Sequence, residues 1–213
     1  MRTIILSFLL LSFFYLPSAM ADDKEDLIKF MRDKIGQVLV VLRDKTIDKP
    51  TRNQKILDIA DPIFDYARMA KSSLGKKYWS AMNKQQKADF VETFVKKLKG
   101  SYLEKLDLYT DEDVLVEKAV DVKKRIYIYS YLVSKGDRKE MIYKFYKSKE
   151  GWRVYDVEIL GVSMVQTYRS QFDGLLKKGT VDDLLTKLKT ADDFTWSTDK
   201  AAPAPATEEE EEN

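Results

Sequence analysis

Leu27, Phe30, Met31, Ile35, Val38, Leu39 and Leu42 recur at three- and four-residue steps. That is the period of a helix with one apolar stripe, and the helix ends before Pro50. A short second helix is expected over 52–60. Ile63 to Leu74 keeps helical spacing, with Pro62 suited to its first turn and Gly75 to its stop. Asn83 and Gln86 have the spacing of a capping box. They open a long helix on which Phe90, Phe94, Leu98 and Tyr102 stack at four-residue steps. The first half of the chain therefore reads as helix throughout.

Beyond Thr110 the period shortens to two. Val114, Val116 and Val120 mark one strand, and Ile126 to Val133 is rich in β-branched and aromatic residues. Gly136-Asp137 suits a hairpin, and Met141, Tyr143 and Phe145 then alternate with Ile142, Lys144 and Tyr146. Glu150-Gly151 turns into Trp152 to Ile159. Gly161 breaks the last strand, and the apolar positions Met164, Val165, Tyr168, Phe172, Leu175 and Leu176 resume at helical spacing over 162–178. Thr180 with Asp183 opens a final helix, 181–189. Helices before and after a run of strands predict an α+β fold, with helices on one face of a curved four-stranded antiparallel sheet.

The ends differ from this body. Arg2, an apolar run from Ile4 to Leu16 and Ser18-Ala19-Met20-Ala21 form the pattern of a secretory signal, with cleavage expected after Ala21. The run is short for a membrane span. From Asp199 the sequence turns into alanine, proline and Glu208 to Glu212, the composition of a disordered acidic tail. Solubility and a weak contact with a basic partner are both readings of that tail. The expected organisation is a leader over 1–21, one domain over 22–198 and the tail over 199–213.

Composition removes function classes. The chain has no cysteine and no histidine, so disulfides and thiolate sites are excluded, along with the commonest general base and metal ligand. Setting aside Arg2 and the five tail glutamates leaves 36 basic against 30 acidic residues. Such a mild positive excess suits an anionic surface or an ordinary soluble one. The lysines are spread through every element without a nucleic-acid motif, which argues against nucleic acid as a partner.

Within 154–172, Tyr155-Asp156-Val157, Gly161-Val162-Ser163 and Tyr168-Arg169 with Gln171-Phe172 closely resemble, in order and spacing, the C-terminal signature of the MlaC family. Ile63-Phe64-Asp65-Tyr66, Leu74-Gly75, Trp79, Gln85-Gln86 and Leu184-Leu185 add moderate support, whereas 120–149 carries few matching residues. The resemblance implies a cone-shaped domain that binds phospholipid by its acyl chains in the periplasm. It also implies a shuttle, with no cofactor and no catalysis, between an outer-membrane lipoprotein complex and an inner-membrane ABC transporter complex with its substrate-receiving subunit. The carrier is expected to act as a monomer.

Burial of about 30 methylenes in a diacyl lipid, at about 0.8 kcal/mol each, amounts to roughly 24 kcal/mol. A carrier must therefore supply an apolar interior. The expected lining is Leu98, Tyr102, Met164, Val165, Tyr168 and Phe172 on helices, with Met141, Tyr143, Phe145, Tyr155, Val157 and Ile159 on strands. A filled core would use the same side chains, so the pattern leaves both roles open. Tyrosine hydroxyls near a rim would suit a lipid glycerol or phosphate. Arg169 reads either as a phosphate contact or as the partner of a carboxylate that pins strand to helix. Ser163 is expected to cap a helix, and Trp79 and Trp152 to fill a corner, cover a sheet edge or dock elsewhere. Two other classes stay in view: an enzyme with Asp156 as a buried base and tyrosine oxyanion donors, and an adaptor without ligand.

Overall fold

A computed structural model describes residues 19–107 and 112–190. Five helices come first: α1 (Ala19–Arg43), α2 (Lys49–Ala60), α3 (Tyr66–Leu74), α4 (Lys76–Ala81) and α5 (Lys84–Leu106). Strands β1 (Asp113–Val122), β2 (Arg125–Ser134), β3 (Asp137–Ser148), β4 (Gly151–Ile159) and β5 (Val162–Ser163) follow, then α6 (Met164–Leu176) and α7 (Val181–Thr190). The fold is α+β, with the strands paired antiparallel in sequence order. The expected leader up to residue 18 and the acidic tail lie outside the described residues, and α1 begins ahead of the expected cut after Ala21.

Local chemistry accounts for most boundaries. Asn83 accepts from the Gln86 backbone at 2.9 Å while the Gln86 side chain accepts from the Asn83 backbone at 3.1 Å, a complete capping box for α5. Thr180 and Asp183 make the same reciprocal pair at α7. Lys135 and Gly136 take φ of 48° and 90° between β2 and β3, the left-handed pair that a two-residue hairpin needs.

Several elements differ from the expected ones. α2 starts at Lys49 rather than 52, because Asp48 caps it by accepting from the Thr51 backbone. α3 starts at Tyr66 rather than Ile63, because Asp65 caps it by accepting from the Arg68 backbone. The preceding residues are extended: Val154 donates to Ile63, and Asp65 donates back to Val154. This puts Phe64 in a parallel bridge with Val154. α4 is an additional turn of helix after Gly75. The strand after Ile159 does not pass directly into a helix. Leu160 and Gly161, at φ 52° and 78°, fold it back as a hairpin, so Val162–Ser163 adds a fifth, two-residue strand and α6 begins at Met164.

Two bulges decide which side chains share a face. In β1 the register shifts between Val116 and Lys118, so Ala119 takes the inner side and Val120 faces out, 36% exposed. In the β3–β4 pair, Lys144 meets Asp156 but Phe145 meets Val154, leaving Tyr155 as the extra residue. Ile126, Ile128, Phe145, Val154 and Val157 all lie on the inner face, which α1 covers with Leu27 and Met31. Arg32 fixes that helix by donating to the Val116 carbonyl, at 2.8 Å from Nη2, and Lys24 and Arg43 pair with Asp121 and Asp113 farther along β1.

A second core lies apart from the first. Met69, Phe90, Phe94, Leu98, Tyr168, Phe172, Leu184 and Leu188 pack together from α3, α5, α6 and α7. Phe172 meets Phe90 edge-on at 5.6 Å, and Phe94 meets Tyr168 edge-on at 5.2 Å, a favourable aromatic arrangement. This bundle joins the sheet through α3 and α6 at β4, whereas α5 packs on α3 and α7 without substantial backbone contact with any strand.

Candidate functional site

Eleven of the twelve expected lining residues divide into three groups. Leu98, Val165, Tyr168 and Phe172 are buried in the helical core, and Phe145 and Val157 in the sheet core. Met141, Tyr143, Ile159, Met164 and Tyr102 are only partly buried. Ile159 and Met164 pack against both cores at once, so they occupy the seam between bundle and sheet.

Tyr155, the twelfth, stands apart from all three. The bulge rotates it to the opposite sheet face, where its hydroxyl lies 3.2 Å from that of Tyr127 and accepts from Arg125 at 3.1 Å. Arg68 of α3 reaches the same face and stacks over Tyr146 at 4.1 Å, while Tyr146 donates to Asp65. The expectation that Tyr155, Val157 and Ile159 share one face therefore fails at its first residue.

The seam has one apolar member that periodicity did not place there. Phe64 packs against both cores and stacks on Tyr66 at 5.5 Å. Its spacing fits the helix expected over 63–74, but the residue is extended. Tyr66 donates to Asp61 at 3.0 Å, and Lys99 pairs with Asp61 at 2.6 Å, so an ion pair stands at the Tyr66 end. Burial raises the Tyr66 hydroxyl above the ordinary tyrosine range, helped by Asp61.

Asp156 has a structural position. Burial raises its carboxyl pKa, against the pull of Lys144 at 3.3 Å. Its oxygens accept from Ser163 Oγ at 2.7 Å and from the Val165 backbone at 3.1 Å. Ser163 in turn caps α6 by accepting from Gln166. Asp156 thus ties the start of α6 to β4, the task one reading gave to a pair with Arg169. Arg169 instead lies against Gly75, its Nε 3.4 Å from the place a Cβ would take.

Because the native carboxyl binds its proton more tightly than the unfolded one, the ionised form costs stability. Stability from this group is full below the unfolded value near 3.8 and is lost as pH rises from there through the raised native value. Asp156→Asn, which does not titrate, should compare worst with the parent at pH 4 and less badly at pH 7. Denaturant midpoints at the two pH values check the sign; an unchanged difference would refute the raised pKa.

Trp152 donates to Asp23 at 3.3 Å and packs on the sheet core, and Trp79 packs on the helical core. Two surface grooves lie away from the expected lining. One, of about 580 Å³, runs between α5 and α7 past Lys96, Ser101 and Leu188. The other, of about 360 Å³, meets the seam at Phe64 and Tyr66. Among the described residues no helix is long and apolar enough to cross a membrane, and no cluster of acidic side chains could hold a metal ion.

The model of the MlaC protein family matches residues 32–190. The chain belongs to the MlaC family. It is 23% identical over 194 residues to the intermembrane phospholipid transport system binding protein MlaC of Haemophilus influenzae, covering 87% of this chain and 90% of that one. Its fold is similar to that of a phospholipid-binding protein from Ralstonia solanacearum, solved in complex with a phospholipid. That likeness has a TM-score of 0.67 at 22% identity and covers 76% of this chain and 93% of the other. In this MlaC-family fold, the signature read at 154–172 is the strand, hairpin and helix start that Asp156 and Ser163 hold together.

Proposed function

We propose that this chain is a periplasmic phospholipid carrier that holds its cargo by the acyl chains and performs no chemistry on it. The seam carries the reading. Phe64, Ile159 and Met164 keep accessible apolar surface where two separate cores meet, and acyl chains are the cargo that such surface favours. The relatives support the same cargo, since one is named for intermembrane phospholipid transport and the other holds a phospholipid. On the α5 side the seam could open by separating side chains alone, because α5 has no substantial backbone contact with a strand, while α3 and α6 stay anchored at β4.

An enzyme built on Asp156 has less support, because that carboxylate is engaged by Ser163, Val165 and Lys144. The carrier would receive and deliver lipid as a monomer. Its partners would be an inner-membrane ABC transporter complex, at the substrate-receiving subunit, and an outer-membrane lipoprotein complex. Mass spectrometry of an organic extract of the native protein should detect phospholipid in near-stoichiometric amount. A lipid-free preparation that also takes up none from vesicles would overturn the reading.

A further inference from the structure

α2 and α5 meet through charged pairs at both ends. At one end Lys99 of α5 reaches Asp61, just past α2, at 2.6 Å. At the other, Asp107 at the end of α5 receives Lys49 at 2.6 Å and also Arg52, both from the first turn of α2. The start of α2 thus pairs with the end of α5, so the helices run antiparallel. Arg52 and Asp61 are nine residues apart and Lys99 and Asp107 eight, about 12–14 Å along each helix. The matched spans put the two pairs on one boundary.

Backbone packing does not hold that boundary. α5 packs on α3 and α7 in the helical core, α2 packs on α1, which covers the sheet, and α2 and α5 have no substantial backbone contact with each other. Between the two pairs α5 carries Tyr102, Leu103 and Leu106, each only partly buried. The first pair also borders the seam. Asp61 accepts from Tyr66 at 3.0 Å, Lys99 stands over the Tyr66 ring at 4.8 Å, and Tyr66 stacks on Phe64. Parting the α5 side of the seam there means drawing charged side chains from one another.

Charged pairs suit a closure that must open repeatedly. Partly exposed ion pairs each hold weakly, are screened by salt, and recover water when they separate. We propose that the Lys99–Asp61 pair and the Lys49 and Arg52 pairs with Asp107 form a latch that keeps the α5 side of the seam shut and sets how fast lipid passes in and out. The inference rests on the carrier reading and adds a rate-controlling device to it. With cargo passing only through the open form, loosening the latch raises the open fraction and the exchange rate by the same factor. The latch closes over the empty and the loaded protein alike, so the lipid held at equilibrium changes little.

In the test, protein loaded with a fluorescent headgroup-labelled diacyl phospholipid is mixed with excess phosphatidylcholine vesicles containing a quencher, and the loss of fluorescence reads the transfer rate. Asp107→Asn, which loses two pairs, should transfer about two- to tenfold faster than the parent, and Asp61→Asn about two- to fivefold. Lys99→Gln breaks the first pair from its other side should Asp61→Asn fail to fold. The parent rate should also climb between low salt and about 0.5 M NaCl, and that of Asp107→Asn less so. These vesicles carry no net charge, so salt does not act through attraction to the membrane. Arg52→Asp and Asp107→Arg should each speed transfer, and the two together should return it towards the parent rate. Lipid per mole and the Tm of the empty protein should stay near the parent values, which a structural brace would not allow. Equal rates in parent and variants, a rate gain that tracks a fall in Tm, or a charge swap as fast as its single variants overturns the latch while sparing the carrier reading. A parent that carries no lipid and takes up none overturns both.

Discussion

Ile159→Asp is expected to cut the phospholipid bound by the purified protein at least tenfold, with cooperative unfolding retained. Ile159 is partly accessible, lies against both cores and ends β4 beside the Leu160-Gly161 hairpin. A carboxylate there can meet water while the seam is empty. With acyl chains beside it, the charge would lose that water and find no partner, a penalty well above the 1.4 kcal/mol that equals tenfold. Ile159→Leu, which keeps the apolar surface, should bind like the parent. Extracted lipid measured per mole of protein for the two variants checks the claim, and equal lipid on both would show that Ile159 does not meet the cargo.

Phe172→Ala should instead act on stability. Phe172 is fully buried and touches Phe90, Phe94 and Tyr168 at centroid distances of 5.6, 6.3 and 5.8 Å. Truncating such a ring costs about 3–5 kcal/mol. For a domain of this size that is a fall in Tm of roughly 6–20 °C. Thermal unfolding of delipidated protein is the measurement, because it separates the two roles that the aromatic stripe left open. A core residue lowers the Tm of the empty protein, whereas a lining residue changes lipid content and leaves the empty protein nearly as stable.

These two outcomes mark the boundary of what the sequence could say. The capping boxes at Asn83 and Thr180 and the hairpin at Gly136 were legible because each is settled within a few residues. The antiparallel meander followed from period and turn chemistry. Burial was legible too, but its extent was not: Phe94 and Leu98 fill the helical core, while Tyr102, one turn on from Leu98, is only partly buried. Nothing in the residues before Asp156 announces a bulge, since no glycine or proline marks it, yet that one extra residue sends Tyr155 to the far face. Ile63 and Phe64 depart from the expected helix for a related reason. Their spacing suits a helix, and only the carbonyl and amide of Val154, some ninety residues away, hold them extended.

The treatment of the outer strands has a consequence for life at high concentration. An unprotected strand presents a row of amides and carbonyls on which a second molecule can add its own strand, a route to aggregates. Here the last long strand is occupied twice over, by Phe64 in its first half and by Val162 and Ser163 at its end. At the other margin, the irregularity after Val116 interrupts the row, and the Arg32 guanidinium occupies the Val116 carbonyl. Both margins of the sheet thereby deny a second copy the simplest way of adding its own strand.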